Sequence, residues 1–131
     1  MLFRLRPHHL ICNLCFQGKG YNATFIENFQ KIHQALGNEL HQIKITKGVD
    51  DICQCCPKKQ KDHCQDEAKV AKLDRIYLEI LQLQYAETIT LAQAKNKIKK
   101  MLSLQAFHNA CAECSWKTAG ICEKVIRDLV R

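Results

Sequence analysis

Six of the nine cysteines in this chain follow one spacing, Cys-x2-Cys-x7-Cys, that occurs twice. The first triplet is Cys53, Cys56 and Cys64, and the second triplet is Cys111, Cys114 and Cys122. Two cysteines three residues apart can place two sulfurs around one metal, and a third from the next turn of chain can join them. The repeated spacing therefore predicts a metal or iron–sulfur site with these six residues as ligands.

Each triplet leaves a tetrahedral zinc ion or a four-iron cluster one ligand short. Cys12 is the obvious thiolate outside the triplets. His8 and His9 precede it by four and three residues, so on a helix one imidazole shares its face. We expect Cys12 to be a metal ligand and His8 and His9 to belong to the cofactor-binding site. Either each triplet holds its own metal with a ligand from elsewhere, or both triplets contribute to one shared site.

The spacing alone does not fix the metal, because Cys-x2-Cys occurs in zinc ribbons and in ferredoxins alike. Two details favour an iron–sulfur cluster of the 4Fe-4S type. The cysteines outnumber the neighbouring histidines, and Cys56 is followed by Pro57, as in the step that closes the bacterial ferredoxin motif. Zinc is the alternative cofactor.

Composition and charge limit the class of protein. The chain of 131 residues suits one domain, 1–131, with an ordinary 47% hydrophobic and 25% charged residues. Nine cysteines, an odd number without a secretion signal, favour a reducing compartment and hence a cytoplasmic protein. No apolar run approaches the roughly 20 residues of a membrane span, so no membrane partner is expected. The net charge of +7 supports a nucleic-acid partner only weakly, because thiolates at a metal site would offset positive charge.

Helical periodicity and capping signals predict a mostly α-helical protein. Helices are expected at 7–17, from Asn22 or Thr24 up to Gly37, at 66–84, from Thr90 to about 102, from Ser103 into Cys111, and at 123–130. On the helix at 66–84, Asp74 is assigned with its charged neighbours to the solvent-facing side. Residues 42–46 form a short strand at most. The expected fold is a small single-domain helical protein with two cysteine-rich metal-binding connectors.

Other polar features have structural interpretations. Asp50-Asp51 lacks a partner base, so a turn or helix-cap role is favoured over catalysis. Cys15 is interpreted as a small buried hydrophobe. A solvated helix face accounts for four lysines, namely Lys95, Lys97, Lys99 and Lys100. No activated nucleophile or substrate pocket is readable, so enzymatic activity is not expected.

Several motifs combine over nearly the whole chain. They are Arg6-Pro7-His8-His9-Leu10 with Cys12, Gly18-Lys19-Gly20-Tyr21, Asp50-Asp51-Ile52-Cys53 with Cys56-Pro57 and Cys64, and finally Cys111, Cys114, Trp116 and Cys122. Together they resemble the domain-of-unknown-function 1284 family of bacterial and archaeal proteins, whose members are suspected of binding iron–sulfur clusters. The resemblance implies the seven ligand cysteines named above and leaves out Cys15 and Cys55. It implies no substrate or reaction, and the segment between Cys114 and Cys122 is longer than the family's usual one.

Three functions follow from these expectations. The first is an iron–sulfur protein that transfers electrons or serves as an accessory subunit for a redox partner. The alternative is a structural zinc protein that presents a basic helical surface to nucleic acid or to another protein. The third, with the least support, is an enzyme with an open metal position and His8 or His9 as its acid–base group.

Overall fold

A three-stranded sheet accompanies the predicted helices. The computed structural model of the chain describes residues 2–16, 18, 22–38, 41–57, 59–60, 64–65, 67–110 and 121–130, with side chains of the last helix given for 124–129. The strands are β1 (Leu2–Leu5), β2 (Gln42–Ile45) and β3 (Thr88–Thr90). They lie in the order β1-β2-β3, with β1 parallel and β3 antiparallel to β2. The mostly α fold class is confirmed, and β2 lies where a strand was predicted.

Strands β1 and β3 were not indicated by the sequence. In the sheet Leu5 pairs with Ile45 and Ile43 pairs with Ile89, and all four side chains are buried. A strand of three or four residues carries too little alternation to be recognised by itself. Its partner is about 40 residues away along the chain, so only the folded chain brings the two together.

Six helices are present in the described residues. They are α1 (Pro7–Cys15), α2 (Ala23–Ala35), α3 (Glu67–Leu81), α4 (Leu91–Met101), α5 (Leu104–Ala110) and α6 (Ile121–Val130). None of them has the length and hydropathy that crossing a bilayer requires.

The helix starts follow local capping chemistry. Pro7 occupies the first turn of α1, where its missing N–H costs nothing. The predicted capping box opens α4: the Gln93 amide donates to Thr90 Oγ1 at 3.1 Å, and the Thr90 amide donates to Gln93 Oε1 at 2.9 Å. Of the two caps offered for α2, Asn22 is the one used, with Oδ1 accepting from the Phe25 amide at 2.9 Å.

The apolar core joins the sheet to one face of each helix. Phe16 and Phe29 stack with ring centroids 4.3 Å apart, and Cys15 is fully buried beside them in the same cluster, in agreement with its interpretation as a core residue. Helix α1 packs against α3 and α6. This packing fixes the start of α1, where the polar residues of the candidate site lie.

Candidate metal centre

The junction between β1 and α1 carries a cluster of buried polar side chains. Arg6 and Asp74 are each 1% exposed and Asp50 is not exposed at all. Strand β1 delivers Arg6 to this position and Pro7 turns the chain into α1, so that His8 and His9 follow directly. Burying such groups costs free energy unless each one is paired and hydrogen-bonded.

The Arg6 guanidinium binds two carboxylates on α3. Its Nε donates to Asp74 Oδ2 at 2.7 Å, and its Nη2 donates to Glu67 Oε2 at 2.7 Å. Burial opposes protonation of Arg6, but these two carboxylates outweigh it and raise the arginine pKa above its ordinary value. The guanidinium is therefore charged and offsets part of the negative charge of α3.

His8 pairs with the same Asp74. The His8 amide and Nδ1 both donate to Asp74 Oδ1, at 3.0 and 2.6 Å. Burial, reinforced by the neighbouring His9 and Arg6, lowers the pKa of His8, so this ring is neutral at pH 7. Because a carboxylate only accepts hydrogen bonds, the single ring proton of His8 lies on Nδ1, and Nε2 keeps a lone pair.

His9 makes the same kind of pair with Asp50. Its Nδ1 lies 2.6 Å from Asp50 Oδ2, which also accepts from the Arg6 amide at 2.6 Å. Burial opposes ionisation of Asp50, but His9 and the amides of Arg6 and Cys53 lower the pKa of this carboxyl to about 2. Asp50 is thus a carboxylate at neutral pH, and His9 must donate to it from Nδ1.

Cys53 joins this second pair. Its amide donates to Asp50 Oδ1 at 2.9 Å. Among the described residues, His9, Asp50 and Cys53 form the one group of three His, Cys, Asp or Glu side chains whose ligand atoms all lie within 4.8 Å of one another. Burial, together with the Asp50 charge, raises the pKa of the Cys53 thiol to about 12. The thiol therefore stays protonated at pH 7 unless a bound cation stabilises its thiolate.

The polar connector that carries the first triplet is held at both ends by this network. At its start Asp50 accepts from the amide of Cys53, which begins the 3₁₀ turn Cys53–Cys55. At its end Glu67 Oε1 accepts from the amide of Cys64 at 3.3 Å, and the Glu67 amide returns a bond to the Cys64 carbonyl at 3.0 Å. The carboxylates of Asp50 and Glu67 therefore supply part of the order of this connector.

Negative charge exceeds positive charge in the cluster. Three carboxylates, those of Asp50, Glu67 and Asp74, face the single guanidinium of Arg6, while His8 is neutral. Both Asp side chains are almost completely buried, so water screens them poorly. A bound cation would offset this excess.

Comparison with known proteins assigns the chain to a family. Residues 20–120 match the family described as a protein of unknown function, DUF1284. The chain belongs to this family. The matched range contains the first triplet, Asp50 and Asp74, whereas the start of α1 precedes it. No curated protein and no solved structure matches the chain. Membership of the family therefore adds no activity to the geometry described above.

The structure separates the predicted site residues into three groups. His9 and Cys53 lie in the three-residue set, and His8 lies beside it with its ring centroid 4.3 Å from that of His9. Cys12, Cys56 and Cys64 are partly exposed and lie outside that set. Cys111, Cys114 and the side chain of Cys122 lie outside the described residues, so the prediction for the second triplet stays a prediction.

The prediction for the position of Asp74 was wrong. Asp74 was assigned to the solvent-facing side of α3, yet it is 1% exposed and binds both Arg6 and His8. The sequence did contain an indication of this burial, because Asp74 lies three residues before the buried Tyr77 and so shares its helix face. Asp50 has the turn role that was favoured for it, and in addition it orients His9.

Proposed function

We propose that this family member binds metal through cysteine thiolates, and that the group it binds is an iron–sulfur cluster of the 4Fe-4S type. The proposed ligands are Cys12, Cys53, Cys56, Cys64, Cys111, Cys114 and Cys122, with His8 and His9 beside the cluster. The supporting observation is that the buried Asp50 and Arg6, together with the partly exposed Glu67, form a network that holds the first and last cysteines of the first triplet.

The charge of the network supports a cation at this position. A carboxylate beside a buried thiol disfavours its thiolate, so Cys53 is a protonated thiol in the metal-free protein. A metal ion bound at Cys53 would displace the thiol proton and stabilise the thiolate. The donor chemistry also fits a cluster, since iron–sulfur clusters take cysteine thiolates and the chain offers seven at predicted positions. The proposed role is electron transfer, or support of a larger redox partner.

Zinc is the second candidate, and a specific observation favours it. The set formed by His9, Asp50 and Cys53 mixes nitrogen, oxygen and sulfur donors, all of which zinc accepts. In that case the metal would order the connector, and the lysine-rich α4 would present its basic face to nucleic acid or to an acidic protein.

One preparation distinguishes the two candidates. The full chain is purified without oxygen and its iron, acid-labile sulfide and zinc are measured. An iron–sulfur protein is brown and contains iron and sulfide in similar amounts. A colourless protein with stoichiometric zinc would reject the cluster and support the zinc alternative, and a protein with neither metal would reject both.

Two substitutions in the same turn provide a matched pair. Cys56→Ser is expected to lose metal and to lower the melting temperature, because the connector contains too few apolar residues to order itself. Cys55→Ser removes a cysteine outside the proposed ligand set and should retain the metal. Equal metal content in the two variants would contradict the assignment of Cys56.

The zinc alternative has a test of its own. A basic face that contacts phosphates binds nucleic acid with an affinity that falls steeply as salt concentration rises. Fluorescence anisotropy with a labelled duplex DNA and a labelled single-stranded RNA at low salt would measure it. The absence of binding at low salt would remove the nucleic-acid role.

A further inference from the structure

We propose that His9, through Nε2, is the fourth ligand of the metal held by the first triplet, and that Asp50 is the carboxylate that positions this imidazole. The inference rests on the proposed metal-binding function. It replaces Cys12, the fourth ligand suggested by sequence, with a histidine one helical turn earlier on α1.

Proximity favours His9 over Cys12. A ligand atom of His9 lies within 4.8 Å of those of Asp50 and Cys53, whereas Cys12, like Cys56 and Cys64, belongs to no such set of three among the described residues. The His9 side chain is 13% exposed and cannot turn freely, because its ring contacts His8 on one side and Asp50 at Nδ1. Its position relative to Cys53 is therefore set before any metal binds.

The hydrogen bonds of Asp50 assign it a positioning role. Oδ1 accepts from the Cys53 amide, and Oδ2 accepts both from the Arg6 amide and from His9 Nδ1. A metal would have to compete with three existing bonds to use this carboxylate directly. A histidine that donates Nδ1–H to a carboxylate presents Nε2 to a metal, which is the usual arrangement around ligating histidines.

His8 is distinguished from His9 by its partner. It makes an equivalent bond from Nδ1, but to Asp74, which Arg6 already neutralises in part. His8 does not belong to the close set that contains Cys53. Because His8 is bonded to an aspartate that Arg6 also binds, we assign His8 to the structural network, and we assign His9, the histidine beside Cys53, to the metal.

The ligand set has a chemical consequence. Three thiolates and one imidazole carry one negative charge fewer than four thiolates, and histidine ligation raises the reduction potential of an iron–sulfur centre. With zinc the same residues give the common Cys₃His arrangement. Cys12 and the second triplet then remain as four thiolate ligands for a separate site.

Hyperfine spectroscopy tests the assignment directly. The full chain is produced with ¹⁵N-labelled histidine, and pulsed electron paramagnetic resonance is recorded on the reduced iron centre or, if the protein contains zinc, after exchange for Co²⁺. The wild type should show one strongly coupled histidine nitrogen. His9→Ala should lose that coupling, whereas Cys12→Ser and the matched control His33→Ala should retain it.

Further variants protect the test against misfolding. His9→Cys should restore metal binding without the nitrogen coupling, and for an iron–sulfur centre it should lower the midpoint potential. Asp50→Asn should alter the size of the coupling, whereas Asp51→Asn should leave it unchanged. Two results would overturn the assignment of His9 but not the proposed function. One is a metal-containing wild type without histidine coupling, and the other is a coupling that persists in His9→Ala. A protein that holds neither iron nor zinc would overturn the proposed function itself.

Discussion

Two adjacent histidines at the start of α1 each donate a hydrogen bond of 2.6 Å from Nδ1 to a buried aspartate, yet the two aspartates have different surroundings. Asp74 also binds the guanidinium of Arg6, so its charge is balanced within the protein. Asp50 is held by backbone amides and lies beside the thiol of Cys53. The first pair forms a closed ion network, whereas the second ends at the thiol of Cys53, a proposed metal ligand.

The two sides of the start of α1 can therefore serve different purposes, one structural and one as a proposed metal site. The side with Asp74 has its ionic partners already in place and can contribute to structure without a ligand. The side with Asp50 has a carboxylate beside a protonated thiol, and the thiolate of Cys53 would be stabilised only by a bound cation. Variants on the two sides should therefore respond differently to metal.

The largest effect is expected from Arg6→Met. It removes the guanidinium and leaves Asp74 and Glu67 as uncompensated carboxylates, one of them fully buried. Removing one partner of a buried ion pair costs about 3–5 kcal/mol of stability. Urea unfolding of wild type and variant measures this cost. A loss under about 1 kcal/mol would show that the network contributes little to the fold.

The same network predicts a pH dependence. Burial opposes ionisation of Asp74, but the bond from His8 outweighs it and lowers the pKa of this carboxyl below its ordinary value. The carboxylate therefore stabilises the fold above about pH 4, and the contribution is lost as pH falls through the lowered pKa. The stability difference between wild type and Asp74→Asn should shrink as the pH is lowered from 6 towards 2. A constant or growing difference would contradict the sign.

The proposed metal site is tested by Asp50→Asn. Loss of the carboxylate that orients a metal-ligating histidine typically costs 10–100-fold in affinity, or about 1.4–2.8 kcal/mol. Competition with a chromophoric chelator measures the affinity. The matched variant Asp51→Asn alters the neighbouring carboxylate, which binds Arg4 instead of a histidine, and should keep wild-type affinity. Equal losses in the two variants would remove the special role of Asp50.

The smallest effect on stability is expected from Arg4→Ala, which removes an exposed ion pair. Arg4 Nη2 lies 3.2 Å from Asp51 Oδ1, and the two side chains are 55% and 26% exposed. An ion pair in such contact with water contributes about 0.2–1 kcal/mol. Arg4→Ala should therefore shift the urea midpoint only slightly, and the shift should shrink at high salt. A loss of stability as large as that of Arg6→Met would show that burial does not determine how much each ion pair contributes to stability.

The sequence by itself determined the features that depend on neighbours within a turn or two of chain. The capping box of Thr90 and Gln93, the proline at the start of α1 and the turn role of Asp50 all involve residues at most three apart, and each was predicted correctly. The cysteine spacing is of the same local kind, and it predicts ligands without naming their metal.

Only the tertiary structure decided which polar groups meet. Arg6 and Asp74 are separated by 68 residues and His9 and Asp50 by 41, so no local pattern relates them. The packing of α1 against α3 and the pairing of β1 with β2 bring these residues together. The sequence alone predicted the same role for His8 and His9. The structure distinguishes them, because His8 is bonded to Asp74 and His9 is bonded to Asp50 beside Cys53. The physical reason is that the charge around a buried group depends on neighbours that are distant along the chain.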